Sequence, residues 1–558
     1  MALGVLVGVL SGLVVVAFRM TIGEAAERFT FGLGFSGLPV WGRLLLPTAG
    51  GLAVGLLATY VFPRNADVGV SRVLERVAYG ASHLGAKSAI AQFVFGTLAI
   101  GSGQSVGREG PSIHMGAAIG SLVGQRFGID PAHLRTLVAA GAAGAFAGAL
   151  NIPLAGVVFA LEVILGEYTL ALFAPVAVSA VLATVVAQIG VGPGVLFEVP
   201  RLPIHSFWFL PLDWIIGFGA AVVSFLLLRG VEGIYHVSAR FPLPEWALPA
   251  LGGLVVGVLA IGTPEIMGVS YATMEEVFAG KVPLVTMAVL LAAKLAATTV
   301  SIGCHARGGA IGPSLFMGAL VGALVADATR LLDLPVGETG IYAIIGMAAG
   351  MAAILNAPFS AIVAVSELVQ HPAVILPVML ATVTAAVTSR DWFKAQSIFA
   401  WTLHLRELSE HTLPEAGQQC TVPVQQVMLR EFRSLPVRME PEELRQAQAD
   451  SGLQVVFPVF AGRRFLGLVD LVGLLQAGLG VPGEDGRVDL REYLHRAEYL
   501  RHLYPGDGAV KAMDLMASYG LEGYAVRSPR DPAVLVGLVS QTEVIQACLE
   551  QMGGGDRA

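Results

Sequence analysis

Residues Gly141–Glu162 read GAAGAFAGALNIPLAGVVFALE, and residues Gly346–Glu367 read GMAAGMAAILNAPFSAIVAVSE. Set 205 residues apart, the two stretches agree at 8 of 22 positions, among them Asn151/Asn356, Pro153/Pro358 and Glu162/Glu367. Each is an apolar, Gly/Ala-rich segment broken by Asn-x-Pro and closed by a glutamate. Doubled broken helices predict a membrane domain of two repeats with its site near the repeat interface. Irregular backbone at membrane depth survives only inside protein or along a cavity.

The composition agrees. The chain has 558 residues, 55% hydrophobic and 13% charged, with a net charge of −7. Arg406–Ala558 carries 15 basic and 21 acidic residues, close to the soluble norm of about one charge in four. The first 405 residues carry about one in ten. A membrane-embedded part is therefore followed by a soluble tail, which excludes a secreted protein, a nucleic-acid binder and an ordinary cytosolic enzyme. The three cysteines, Cys304, Cys420 and Cys548, form neither a disulfide framework nor a zinc motif. Ala2–Phe18 lacks a basic leader and a cleavage site and reads as a first membrane helix.

A spanning helix needs about 20 apolar residues. Runs at 2–18, 44–62, 169–190, 207–228, 245–262, 282–301 and 372–389 qualify. Shorter or Gly/Pro-cut segments lie at 65–79, 86–101, 109–127, 132–150, 153–166, 270–279, 309–327, 339–355 and 358–370. That mixture predicts an all-α polytopic domain with broken or re-entrant helices.

Gly101–Gly120, GSGQSVGREGPSIHMGAAIG, places Arg108 and Glu109 at a helix start within otherwise uncharged sequence. Ionisable groups there are costly and mark function by default. Gly107 and Gly110 permit close backbone approach, and Pro111 fits a first helical turn. A helix N-terminus presents unpaired N–H donors and partial positive charge to an anion. Glu109 would compete for those donors when ionised and leave when protonated, so it reads as a gate. An Arg108–Glu109 pair that merely holds the loop is the alternative. The second half repeats the design as Gly308-Gly309-Ala310-Ile311-Gly312-Pro313, where the backbone amides of Ala310 and Ile311 are candidate anion donors.

GREGP (Gly107–Pro111), GGAIGP (Gly308–Pro313) and PLAGVVFALE (Pro153–Glu162) resemble the CLC chloride channels and proton/chloride antiporters. The resemblance covers about 1–405, with repeat halves near 1–195 and 205–405. It implies inverted repeats, a homodimer with one pore per subunit, Glu109 as the gating glutamate, and Ala310 and Ile311 at the central anion. It also implies a multi-pass plasma (inner) membrane protein with a cytoplasmic tail, moving chloride or a related anion, with or without protons.

Three departures stand out. The family's pore tyrosine falls on Phe399, which keeps the ring and loses the hydroxyl. Its first anion loop falls on Asp67-Val68-Gly69-Val70-Ser71, where Val68 replaces a serine; Val68, Gly69 and Val70 then offer backbone N–H groups alone. The internal proton glutamate of the antiporters falls on Val163. Glu162 and Glu167 are the remaining acids for a proton path, and Glu167 has an alternative reading as a solvated helix end. Val163 favours channel-like or weakly coupled transport; coupled antiport is the alternative. A cation-coupled secondary transporter is the reading from another class. An intramembrane hydrolase is disfavoured, since no HExxH or membrane GxSxG occurs.

The tail predicts two β-α copies at 421–480 and 486–552 after a 406–420 linker. Strands are expected at Gln454–Phe460, Arg464–Val469, Glu522–Arg527 and Ala533–Val539. Helices are expected near Pro441–Asp450, Leu471–Ala477, Ala509–Tyr519 and from Gln541. The pattern resembles a CBS pair, an α/β module that often binds adenine nucleotides. Ser540 and Glu543 match the ribose-holding pair of that family loosely, and a purely structural module is the alternative.

Overall fold

The computed structural model describes residues 1–404 apart from 64–67, 80–81, 130, 193–196, 198–209, 241–243, 335 and 370–373. Beyond 404 it describes 422–443, 446, 454, 456–462, 464–470, 487–496, 502–519, 521, 523–529, 531, 534–544 and 546–547. Two compact units result: Met1–Val77 with Ser82–Glu407, and Leu408–Ala558 with Ala78–Ala81.

The first unit opens with α1 (Ala2–Phe29), α2 (Val40–Leu56), α3 (Val70–Tyr79), α4 (Ala86–Gly101), α5 (Glu109–Arg126), α6 (Pro131–Leu150), α7 (Pro153–Phe159) and α8 (Leu170–Val191). About 200 residues later a matching succession of helices returns. It runs α9 (Leu210–Arg240), α10 (Leu248–Gly262), α11 (Tyr271–Phe278), α12 (Leu284–Gly303), α13 (Ile311–Arg330), α14 (Thr339–Leu355), α15 (Pro358–Val369) and α16 (Ile375–Val387), closed by α17 (Ile398–His404). Among the described residues, 7 helical segments are long and apolar enough to cross a membrane.

Most expected segments therefore form, with three corrections. The first helix continues past residue 18 to Phe29, and the helix expected at 207–228 runs Leu210–Arg240. Polar turns extend both apolar runs, one of them carrying an Arg28–Glu24 pair at 2.5 Å across an i,i+4 step. The segment expected to be short at 309–327 is a 20-residue helix, Ile311–Arg330.

The repeats are inverted. Gly51 and Gly55, late in α2, face Pro249 in the first turn of α10 and Trp246 just before it. Gly253 and Gly257, further along α10, face Pro47 and Leu44, early in α2. Equivalent spanning helices thus run antiparallel, so the halves cross the membrane in opposite senses.

The Asn-x-Pro motif has a local cause. Asn151 and Asn356 adopt left-handed backbone at φ 63° and 52° and end α6 and α14. Asparagine tolerates that conformation at a helix C-terminus. Pro153 and Pro358 then start α7 and α15, where a missing N–H costs nothing. The glutamates complete the break reciprocally. Glu162 accepts from the Phe359 and Ser360 amides at 3.2 and 2.7 Å and from the Ser360 hydroxyl at 2.5 Å. Glu367 accepts from the Leu154 and Ala155 amides at 3.0 and 2.7 Å. Each carboxylate therefore caps the other repeat's broken helix.

Helix α14 is buried along its whole length, as is α6 from Leu137 onward. A helix apolar on every side belongs inside protein. Both are built from Gly and Ala because backbones must meet: Gly141 lies on Gly116, and Gly346 on Gly318. Large apolar side chains such as Val181, Val185, Ile189, Leu376 and Val383 are exposed on the outer helices, as a lipid-facing surface requires.

In the tail, β1 (Leu435–Pro436), β3 (Val456–Ala461), β4 (Arg464–Asp470) and β6 (His495–Arg496) form one sheet in the order β1-β3-β4-β6. Strands β2 (Arg438–Met439) and β5 (Val488–Asp489) pair antiparallel, as do β7 (Gly523–Arg527) and β8 (Leu535–Ser540). The expected hairpin forms with Val459 opposite Gly467, and α18 (Ala509–Tyr519) precedes the second one. Side chains of both copies share a core, Val456, Phe465 and Leu468 meeting Tyr524, Val526 and Leu538. Asp67, the 406–420 linker, the 471–477 helix and residues 482–486 lie outside the described residues, and only parts of the helices expected at 441–450 and from 541 lie within them.

Candidate functional site at the junction of the repeats

The two glycine loops meet. Gly107 donates to the Gly309 carbonyl at 2.7 Å, and Gly309 donates back to Gly107 at 2.8 Å. A Cβ on Gly309 would stand 2.8 Å from the Gly110 nitrogen, so only glycine permits this approach. From this pair the chain enters α5 on one side and α13 on the other, and both N-termini end at the junction. Their unpaired amides and partial positive charges converge in a water-poor interior.

The Glu109 carboxylate occupies that place. It is fully buried at the first position of α5, and its Oε2 accepts from the Gly312 amide of α13 at 3.1 Å. Its Oε1 accepts from the Tyr271 hydroxyl. Arg108 Nε stands 4.0 Å from Oε1, and the guanidinium lies 5.2 Å over the Tyr271 ring. A first-half carboxylate thus sits on the second-half helix N-terminus, where partial positive charge favours an anionic group.

Ala310 and Ile311 are the N-cap and first residue of α13, both buried, so the expected loop is at the site. The amide holding the carboxylate is the next one, Gly312. Gly312 is the second residue of α13, and its N–H is one of the first-turn donors that have no partner within their own helix. Val68 and Val70 are buried and flank Gly69, whose φ of +98° turns the chain into α3. His114 ties that loop to α5, with Nδ1 at 3.1 Å from the Gly69 carbonyl and Nε2 at 2.8 Å from Ser88 Oγ. Among the described residues, no hydrogen bond joins the Val68–Val70 loop or Phe399 to Glu109. Phe399 is buried at the start of α17.

Sequence reasoning missed Tyr271. It opens α11, the repeat counterpart of α3, and so holds the second-half position equivalent to the Val68–Val70 loop. Extending the repeat outward from the broken helices is the signal that finds it.

The other acids lie elsewhere. Glu162 caps α15, and Glu167 pairs with Arg135 at 2.8 Å. Val163 is partly buried in the wide turn that follows α7. His305 and Arg307, both with left-handed backbone, line a cavity of about 530 Å³ with Tyr235, Trp401 and Thr402.

An inverted pair of repeats with broken helices, in which α5 and α13 bring their N-termini to one buried carboxylate, defines a broken-helix membrane transport protein. The profile of the family described as "Voltage gated chloride channel" matches residues 50–390. The chain belongs to this family, the CLC proteins. A "Putative chloride channel protein ClcB-like" from Ralstonia nicotianae is 34% identical over 68% of this chain and 90% of its own. An "H(+)/Cl(-) exchange transporter ClcA" from Vibrio parahaemolyticus is 28% identical over 74% of this chain and 91% of its own. Among solved structures, a slow cyanobacterial Cl−/H+ antiporter superposes with a TM-score of 0.66 at 22% identity, covering 74% of this chain and 98% of its own. A eukaryotic CLC transporter gives 0.66 at 20% identity and covers 97% of both chains.

Proposed function

We propose that the chain carries chloride across the membrane through the junction of the repeats and that Glu109 is its gate. One observation carries this reading: the Glu109 carboxylate stands on the Gly312 amide at the N-terminus of α13. Ionised, it fills the anion's place. Protonated, it loses its charge and most of its attraction to that helix end, and the site opens. Flux therefore rises as the pH falls.

Transport is channel-like or weakly proton-coupled on this reading. Val163 carries no proton, Glu162 is engaged as a helix cap and Glu167 in an ion pair, so relaying a proton through either acid would break those bonds. The relatives' names span both a putative chloride channel and an H(+)/Cl(−) exchange transporter, so the distinction needs its own test. Chloride-loaded vesicles containing the full chain, with chloride and external pH recorded together, are expected to release chloride with little proton uptake. Proton uptake in fixed proportion to chloride would replace this reading with coupled antiport. Absence of chloride release would remove the chloride assignment.

A cation-coupled transporter would need cavity-facing acids beyond Glu109, and the reciprocal capping by Glu162 and Glu367 argues against that use. The CBS-like copies, the homodimer and the inner-membrane location with a cytoplasmic tail belong to the same proposal. At Ser540 the backbone N–H donates to Glu543 Oε2 at 3.1 Å, and the Glu543 amide donates back to the Ser540 hydroxyl at 3.3 Å. This reciprocal capping box favours a structural role for the pair over ribose binding. Adding ATP or AMP to the full chain is accordingly expected to leave the tail's melting temperature unchanged; a rise that grows with nucleotide concentration would assign the site to nucleotide.

A further inference from the structure

We propose that the Tyr271 hydroxyl is a ligand of the gate site, latching the Glu109 carboxylate when the site is shut and, with the Gly312 amide, holding the anion that replaces it; Lys294 positions it. The inference rests on Glu109 being the gate.

Phe399 offers no hydroxyl and Val68 offers none, yet the buried carboxylate receives one from Tyr271. A phenol donates to a carboxylate and to a halide in the same way, because either is an acceptor only. When Glu109 swings away, the Tyr271 O–H and the Gly312 N–H are left pointing at one vacated spot. Arg108 adds to it, because its Nε and Nη2 are buried and have no hydrogen-bond partner among the described residues. Unsatisfied buried donors beside a carboxylate suit a site whose occupant is an anion.

The ring is held in place. Phe197 packs edge-on to Tyr271 at 5.5 Å, and Arg108 covers the ring. The loop leading into it is unusual, with Gly268 and Ser270 both in left-handed backbone at φ 63° and 66°. Ser270 pays a steric penalty in that conformation, so something must hold it there. Lys294 of α12 supplies the hold. It is fully buried, and its Nζ donates to the Ile266 carbonyl, the Gly268 carbonyl and Ser270 Oγ, each at 2.9 Å. Three acceptors match the three protons of an ammonium group. No carboxylate forms an ion pair with it among the described residues. An intramembrane lysine whose hydrogen bonds, among the described residues, all go to the loop before Tyr271 is a functional candidate by default.

The charged and titratable groups around Glu109 come from several elements. Arg108 and Tyr271 touch it, and Arg19 of α1 lies within electrostatic reach of both. Lys294 stands behind the loop, and His114 is turned away toward Gly69 and Ser88.

The test uses the full chain. In vesicles, Tyr271→Phe keeps the ring and the Arg108 stack and removes one donor from the ionised carboxylate. Protonation then becomes easier, so the midpoint of the flux-against-pH curve is expected to move alkaline by about one to two units. Lys294→Met is expected to move it in the same direction by less. In solution, Glu109→Gln is titrated with chloride by calorimetry, and adding Tyr271→Phe is expected to weaken binding about tenfold.

An unmoved midpoint in Tyr271→Phe, with Glu109→Gln flattening the profile, overturns the latch and leaves the gate standing. A Glu109→Gln profile as steep as the wild type overturns the gate and the latch together. Equal chloride affinity in Glu109→Gln with and without the hydroxyl overturns the anion-ligand half. Should Lys294→Met not yield a monodisperse protein, Ser270→Ala removes one of its three acceptors, and an unmoved midpoint there overturns the positioning role.

Discussion

Replacing Glu109 by glutamine is expected to flatten the pH dependence of chloride flux. Above its midpoint, a gate opened by one proton loses about tenfold of its open population per pH unit. Glutamine keeps the shape of the side chain and lacks a titrating proton, so flux should change less than about twofold over the same range, well inside that tenfold step. On the proposed gating, the charge at Oε2 competes with an anion for the Gly312 amide, and its loss leaves that helix end available at every pH. Glu109→Ala removes the side chain as well and should conduct at least as well as Glu109→Gln. Flux from chloride-loaded vesicles at a series of external pH values measures both variants. A wild-type slope in either one would take the gate away from Glu109.

The second large effect concerns stability. Gly141→Ala would drive a Cβ into the Gly116 backbone, with the Gly116 carbonyl carbon at 2.7 Å and the Gly120 nitrogen at 3.1 Å. Gly346→Ala meets the same obstacle in the other half, with the Gly322 nitrogen at 2.7 Å and its Cα at 2.9 Å. Backbone cannot rotate aside as a side chain can, so α5 and α6, or α13 and α14, must separate. Overpacking of this kind costs about 1–3 kcal/mol and sometimes more. The crossings also carry the helices whose N-termini form the site, so flux should fall along with stability. Gly23→Ala is the control: nothing lies within 4 Å of a Cβ there, and alanine favours a helix interior. Thermal denaturation of detergent-solubilised protein should place both crossing variants well below the wild type and Gly23→Ala at or above it. Wild-type melting in both crossing variants would show that these helices have room to part.

Much of the fold could be read from local signals. Asn151 and Pro153, with Asn356 and Pro358, mark where helices stop and restart because a left-handed asparagine and an N-terminal proline act within a few residues of chain. Glycines 107 and 309 marked the close approach at the site for the same reason. The site's occupant was legible too, since a lone carboxylate in uncharged sequence has few other uses. The partners of that carboxylate were not. Tyr271 lies 162 residues from Glu109, and Lys294 lies behind a loop with no motif of its own. Glu162 was one of the remaining acids for a proton path, and only the folded chain brings α15 to its carboxylate.

By itself, then, the sequence determined the membrane class, the doubled broken helices, the charge-rich tail and the identity of the gate candidate. These depend on composition and on interactions between residues close along the chain. The tertiary structure alone decided that the repeats are antiparallel, that the Gly312 amide and the Tyr271 hydroxyl donate to the carboxylate, and that Glu162 and Glu367 cap each other's repeat. Each of those contacts joins the two halves. Its geometry follows from how Gly/Ala-rich helices settle against one another, and no local pattern encodes that.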